Sequence, residues 1–124
     1  MEPGLARLKE AGFRLVTLTN SPTKTLMQQM ANTGLGAYFE SLWSVDDVQL
    51  FKPHPQTYQL ALSRLQLPPE QTMMVACHAW DLAGAAHAGM QTGFIARPGQ
   101  SPYALAPAPT ITGKTLTDLV EQLV

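Results

Sequence analysis

Cysteine is nearly missing from this chain of 124 residues: Cys77 stands alone. No disulfide can therefore close within the chain, which suits a reducing compartment. No apolar run approaches the roughly 20 residues of a membrane-spanning helix. The opening MEPGLARLKEAG has the spacing of an amphipathic helix and lacks the apolar centre of a secretory signal. A cytoplasmic protein is expected. Charge is also scarce, at 14% of residues with a formal net charge of -1, and Lys and Arg are scattered singly. That leaves no basic stripe to hold a phosphate backbone, so nucleic acid is a poor candidate partner. Low charge beside a hydrophobic fraction of 45% leaves room for an apolar interface. There is no internal repeat and no linker long enough to divide domains, so residues 1–124 read as a single domain able to bury a core.

What is present is an alternation of helix and strand. Residues 3–11 carry Leu5 and Leu8 at helical spacing, with Gly12 as the stop. FRLVTLT (13–19) is nearly continuous in apolar character, the pattern of a strand covered on both faces. Ser21 and Pro22 follow as expected N-cap and first helical position, and the helix shows Leu26, Met27 and Met30 on one face before stopping near NTGLG. SLWSV (41–45) reads as a strand, DDVQLFKPHP as a loop, and QTYQLALSRLQL as a helix started by Pro55. TMMVACH (72–78) is a further buried strand, DLAGAAHAG a small-residue helix and QTGFIAR another strand. A Pro-rich loop from Pro98 to Pro109 precedes a short strand at Thr110 and Ile111 and a last helix from Thr115 to Leu123. Such alternation predicts an α/β fold, a parallel sheet with helices on both faces.

In such sheets ligands gather at the carboxyl ends of the strands. That rule selects Thr19, Asn20, the loop holding Lys52, and Cys77 to Asp81, all on one rim. Each residue also has a plain structural reading. Thr19 and Asn20 can satisfy backbone groups at a strand end. Lys52 can be a solvated loop lysine, and Tyr58, on the first turn of the next helix, an amphipathic residue lying partly against the core. Asp81 is favourable at a helix N-terminus for its charge alone. A Cys77 nucleophile with His78 as base is disfavoured because consecutive strand residues point to opposite faces, unless the strand has already ended. No metal is expected, since His54 and His87 bear no ligand spacing to Cys77 or His78.

Together, LVTLTNSP, SVDDVQLFKPHPQTY, VACHAWDLAGAAHAGM and GFIARPG resemble the carboxyl-terminal two-thirds of the haloacid dehalogenase superfamily core, most closely its L-2-haloacid dehalogenase (type II) branch. The resemblance implies a three-layer, Rossmann-like core with a mostly parallel sheet. By position it implies that Thr19 hydrogen-bonds a substrate carboxylate or phosphate and that Asn20 helps to hold it. Lys52 matches the lysine that balances a nucleophilic aspartate, and Tyr58 a tyrosine kept near it. Asp81 matches the acidic residue that holds this lysine and the hydrolytic water. His78 stands where dehalogenases carry Asn, next to substrate and water. Phosphatases of the superfamily resemble a pattern of Gly-Asp with a second Asp four residues on, both acids serving magnesium. Here Ala76 and Cys77 replace the first pair, which weakens a magnesium site and favours the metal-free, cofactor-free dehalogenase branch.

The front of the pattern is what the sequence lacks. The family begins with a strand ending in an aspartate that attacks the halogen-bearing carbon, followed by a cap with a halide-binding arginine. No aspartate precedes Asp46 here, and neither the motif nor the cap is found. The resemblance places the nucleophile strand between the strands matched by residues 13–19 and 72–78. Without it these two must pair directly or each keeps an open edge, a liability for association. Two functions are then expected as alternatives. One is a truncated dehalogenase-like domain, inactive alone, persisting as a homodimer or small-anion-binding module. The other is a hydrolase whose aspartate strand and cap come from another segment or chain.

Overall fold

A computed structural model describes residues 2–45, 52, 54–96 and 108–124. Helix α1 (Glu2–Glu10) leads through a tight wrap into β1 (Val16–Thr19), followed by α2 (Thr23–Thr33), a 3-10 turn at Leu35–Tyr38 and β2 (Ser41–Ser44). Then come α3 (Pro55–Leu65), a 3-10 turn at Pro69–Gln71, β3 (Met73–Ala76), α4 (Ala79–His87), β4 (Gln91–Ile95), β5 (Ile111–Gly113) and α5 (Leu116–Leu123). The α/β alternation expected from the sequence is present, and every strand pairing is parallel.

The strands are shorter than their apolar runs. Phe13 opens no strand, because its N–H closes onto Leu8 O at 3.1 Å around the end of α1, and the ring stays 43% exposed. Ser21 does not cap α2: Pro22 occupies that position without a side-chain bond, and the Ser21 N–H turns back to Thr19 Oγ1 at 3.1 Å. Val45 falls beyond β2, and β3 stops at Ala76, two residues before the end of the predicted strand. Thr110 lies outside β5, but it extends the ladder by exchanging two hydrogen bonds with Thr92 through both threonine hydroxyls, at 3.0 and 3.2 Å. Gly34, at φ +71°, ends α2 in the left-handed conformation that glycine adopts without a Cβ penalty. Most of the expected loop after β2, Arg97 and most of the Pro-rich loop lie outside the described residues.

Among the described residues the strands form two sheets, β1 with β2 and β3-β4-β5, with no ladder between β1 and β3. Of the two alternatives that the sequence leaves, direct pairing of β1 with β3 is therefore excluded, and among the described residues each of the two keeps an edge without a partner strand. Burial shows the consequence. All four residues of β3, Met-Met-Val-Ala, remain partly exposed, whereas Thr92 to Ile95 of β4, which has a partner on each side, are buried. Behind the gap, Leu18, Val45, Tyr58, Ala61 and Ala85 form the core, with Trp43, Met74 and Met90 packed on it. A second packing joins α1 to α5 through Leu5, Leu8, Leu119 and Val120. Gly4 permits their approach, since a Cβ there would meet Leu116 at 3.2 Å.

Candidate active site

Asp81 is the hub of the rim. It lies in the first turn of α4, yet its carboxylate caps no backbone N–H. Oδ2 accepts from Lys52 Nζ at 2.6 Å and Oδ1 lies 2.8 Å from the Tyr58 hydroxyl, which is also 2.9 Å from Asp81 O. The single phenolic proton is best placed on Oδ1, because a charged acceptor makes the stronger bond. Lys52 gives a second N–H to Leu18 O at 2.9 Å, so one ammonium ties the β1 edge to the helix that follows β3. The Lys52 and Asp81 side chains are only 7% and 6% exposed. Lys52 is thus no solvated loop lysine, and Asp81 is more than a helix-terminal charge.

Asn20 extends the chain of bonds, its Oδ1 accepting the Lys52 backbone N–H at 2.8 Å. This places Oδ1 on the Lys52 side of the amide and leaves Nδ2 on the other. Thr19 Oγ1 accepts from Ser21 N–H, which leaves its hydroxyl proton to be donated elsewhere. The third N–H of Lys52 has no acceptor among the described residues. Thr19, Asn20 and Lys52 together thus keep several donors uncommitted: the Thr19 hydroxyl proton, the Asn20 amide N–H groups and one Lys52 N–H. Such a cluster suits a ligand that only accepts, a carboxylate or another small anion.

Tyr58 is fully buried. Pro55 starts α3 as predicted, and the cap at His54, whose Nδ1 accepts from Gln56 N–H, sets the first turn so that the ring points inward. Desolvation by burial, then the charge of Asp81 and the hydrogen bond to it, hold the Tyr58 phenol well above its ordinary range. Its proton is therefore held more firmly than that of an exposed tyrosine. The unfolded chain ionises the phenol near pH ~10, so the unfolded state carries fewer protons above that pH and stability falls as pH rises. Urea denaturation between pH 9 and 11 on about that scale should show a decline steeper in the wild type than in Tyr58→Phe, by up to about 1.4 kcal/mol per pH unit.

Cys77 and His78 require a correction. Because β3 has ended at Ala76, their side chains do meet, with Sγ 3.7 Å from Nδ1. His78 occupies the N-cap position of α4 and is exposed, its ring stacked on Trp80 with centroids 5.6 Å apart. Among the described residues the His78 side chain makes no hydrogen bond to Thr19, Asn20, Lys52 or Asp81; His78 meets Asp81 only through its backbone O, which accepts from Asp81 N–H at 3.2 Å. Of the six expected residues, four are joined by bonds, Asn20, Lys52, Asp81 and Tyr58; Thr19 is the chain neighbour of Asn20, and the His78 side chain is bonded to none of them. Two partners escaped sequence reasoning. Leu18 contributes a backbone carbonyl, which no side-chain pattern announces, and Ser44 reaches the Thr19–Ser21 loop through Ser21 O at 2.6 Å.

A family model for haloacid dehalogenase-like hydrolase matches residues 1–89. The chain belongs to this family. It is 36% identical over 104 residues to (S)-2-haloacid dehalogenase 4A of Burkholderia cepacia, covering 83% of this chain and 45% of that protein. Pyrophosphatase PpaX of Bacillus velezensis is also 36% identical, over 92 residues that cover 74% of this chain and 43% of the relative. The solved L-2-haloacid dehalogenase of Xanthobacter autotrophicus with chloropropionic acid covalently bound superposes with a TM-score of 0.91 at 26% identity, over 98% of this chain and 58% of that one. The chain spans about half the length of the curated relatives it matches. Among the described residues no three His, Cys, Asp or Glu side chains gather as a metal-binding group.

Proposed function

We propose that this chain carries the anion-holding, lysine-bearing half of a 2-haloacid dehalogenase-type site and releases no halide by itself. The observation that carries this reading is the bonded series Asn20–Lys52–Asp81–Tyr58 at the carboxyl end of β1. In this reading Thr19 and Asn20 hold the substrate carboxylate, and Lys52 balances a nucleophilic carboxylate that sits between β1 and β3. Asp81, oriented by Tyr58, keeps the lysine in place and lies near the water that cleaves the ester. His78 borders the substrate. The branch is argued from the donor set: both oxygens of Asp81 are engaged, and Cys77 offers sulfur where magnesium would want oxygen. These residues do not fit a magnesium-dependent phosphatase.

The test is titration of the chain with L-2-chloropropionate, followed by amide NMR. The expected result is saturable shifts at Thr19, Asn20 and Lys52 that Thr19→Val weakens about tenfold, as loss of one hydrogen bond to a charged group would. Shifts spread over the surface, or none, would overturn the reading.

The open edges of β1 and β3 favour association as well. A homodimer is the proposed state. Light scattering over a range of concentrations should give twice 13.5 kDa, and a monomer at every concentration would exclude it.

A further inference from the structure

We infer that Ser44 is a positioning residue for this site: it fixes the Ser21 peptide and, through it, the direction in which Thr19 and Asn20 present their donors. Ser44 ends β2 opposite Thr19 in the parallel register and is 2% exposed. Its Oγ donates to Ser21 O at 2.6 Å, while Ser21 N–H donates to Thr19 Oγ1 at 3.1 Å. The side chains of two register partners thus hold the N–H and the C=O of one residue. The hold complements the helix end, because α2 starts from Pro22 with no side-chain cap. With Ser21 held, the Thr19 oxygen has one lone pair committed and its proton directed away from Ser21. Asn20, one residue before that fixed peptide, can then keep Oδ1 on the Lys52 N–H. A hydroxyl buried at the end of β2 therefore acts on a ligand through two other residues.

This inference rests on the anion-holding reading for its consequence and is independent of it for its mechanism, so the experiment has two arms. In the first, amide hydrogen exchange is followed on the whole chain and on Ser44→Ala and Ser44→Thr. Ser21 should exchange about tenfold faster in Ser44→Ala, the size of one ordinary hydrogen bond, and recover in Ser44→Thr, which keeps the hydroxyl. Trp43 N–H, bonded to Thr17 Oγ1 in the adjacent ladder, should not change. Unchanged exchange at Ser21, or equal loosening at Trp43, would overturn the inference. In the second arm L-2-chloropropionate is the probe: affinity should drop in Ser44→Ala and return in Ser44→Thr. If the wild type binds nothing, the anion-holding reading falls while exchange at Ser21 still decides the role of Ser44. If binding is present and indifferent to Ser44→Ala, the positioning role is refuted.

Discussion

Lys52→Ala should destabilise the chain by about 3–5 kcal/mol, the usual consequence of removing one partner from a buried ion pair. Urea denaturation at neutral pH measures it. The size follows from what is left behind. Asp81 would keep its hydrogen bond from Tyr58 but lose the cation at 2.6 Å in a place where its side chain is 6% exposed, and a lone buried carboxylate is far costlier than a solvated one. Leu18 O would lose its acceptor role at the β1 edge as well. A domain of this size has only about 5–15 kcal/mol in hand, so the variant should be close to unfolding. Removing both charges tests the cause, because a well-packed apolar pair of similar volume can be as stable as the ion pair it replaces. Lys52→Met with Asp81→Leu should therefore recover much of what Lys52→Ala loses. A loss below about 1 kcal/mol for Lys52→Ala would mean that the pair behaves like an exposed one and that Lys52 does not hold the two sheets together.

The fold and most of the rim were legible because they depend on local signals. Apolar runs alternating with capped helical stretches give the parallel α/β order, and the rule that ligands lie at strand ends selects Thr19, Asn20, Lys52 and Asp81. Pro55 as the first residue of α3 predicted where Tyr58 would point. The ends of the strands were less legible: Phe13 and Cys77 continue apolar runs, but the Phe13 N–H is claimed by the end of α1, and Cys77 directly precedes His78, the N-cap of α4. That is why the contact between Cys77 and His78 was discounted from strand geometry and is present in the structure. The hold of Ser44 on Ser21 depends on register between β1 and β2, and register is a tertiary property that one strand's sequence does not carry. The break between the two sheets could be posed as an alternative from the resemblance. Only the pairing of the strands decided between its two forms.

On the proposed reading, no halide should be released when this chain alone is given L-2-chloropropionate, and release should begin when a strand bearing a nucleophilic aspartate is supplied. The chemistry requires a carboxylate oxygen to attack the halogen-bearing carbon, forming a C–O bond as halide leaves with the bonding electrons, and water then to cleave the resulting ester. Asp81 cannot serve as that nucleophile while both its oxygens are engaged by Lys52 and Tyr58. The space for another is indicated by the open edges of β1 and β3 and by the partial exposure of the apolar strand β3. A strand seated there would pair on both sides and cover Met73 to Ala76. The natural probe is the part of the Burkholderia cepacia relative that the match leaves out, added as a separate polypeptide and followed with a halide electrode. Enzymes of ordinary power exceed the uncatalysed rate by about a millionfold or more, so even a weakly bound complement would stand clear of the background. Activity of the mixture should disappear when the complement's nucleophilic aspartate is replaced by asparagine. Halide release by the chain alone, abolished by Lys52→Ala, would refute the prediction and show that these residues complete a nucleophile of their own.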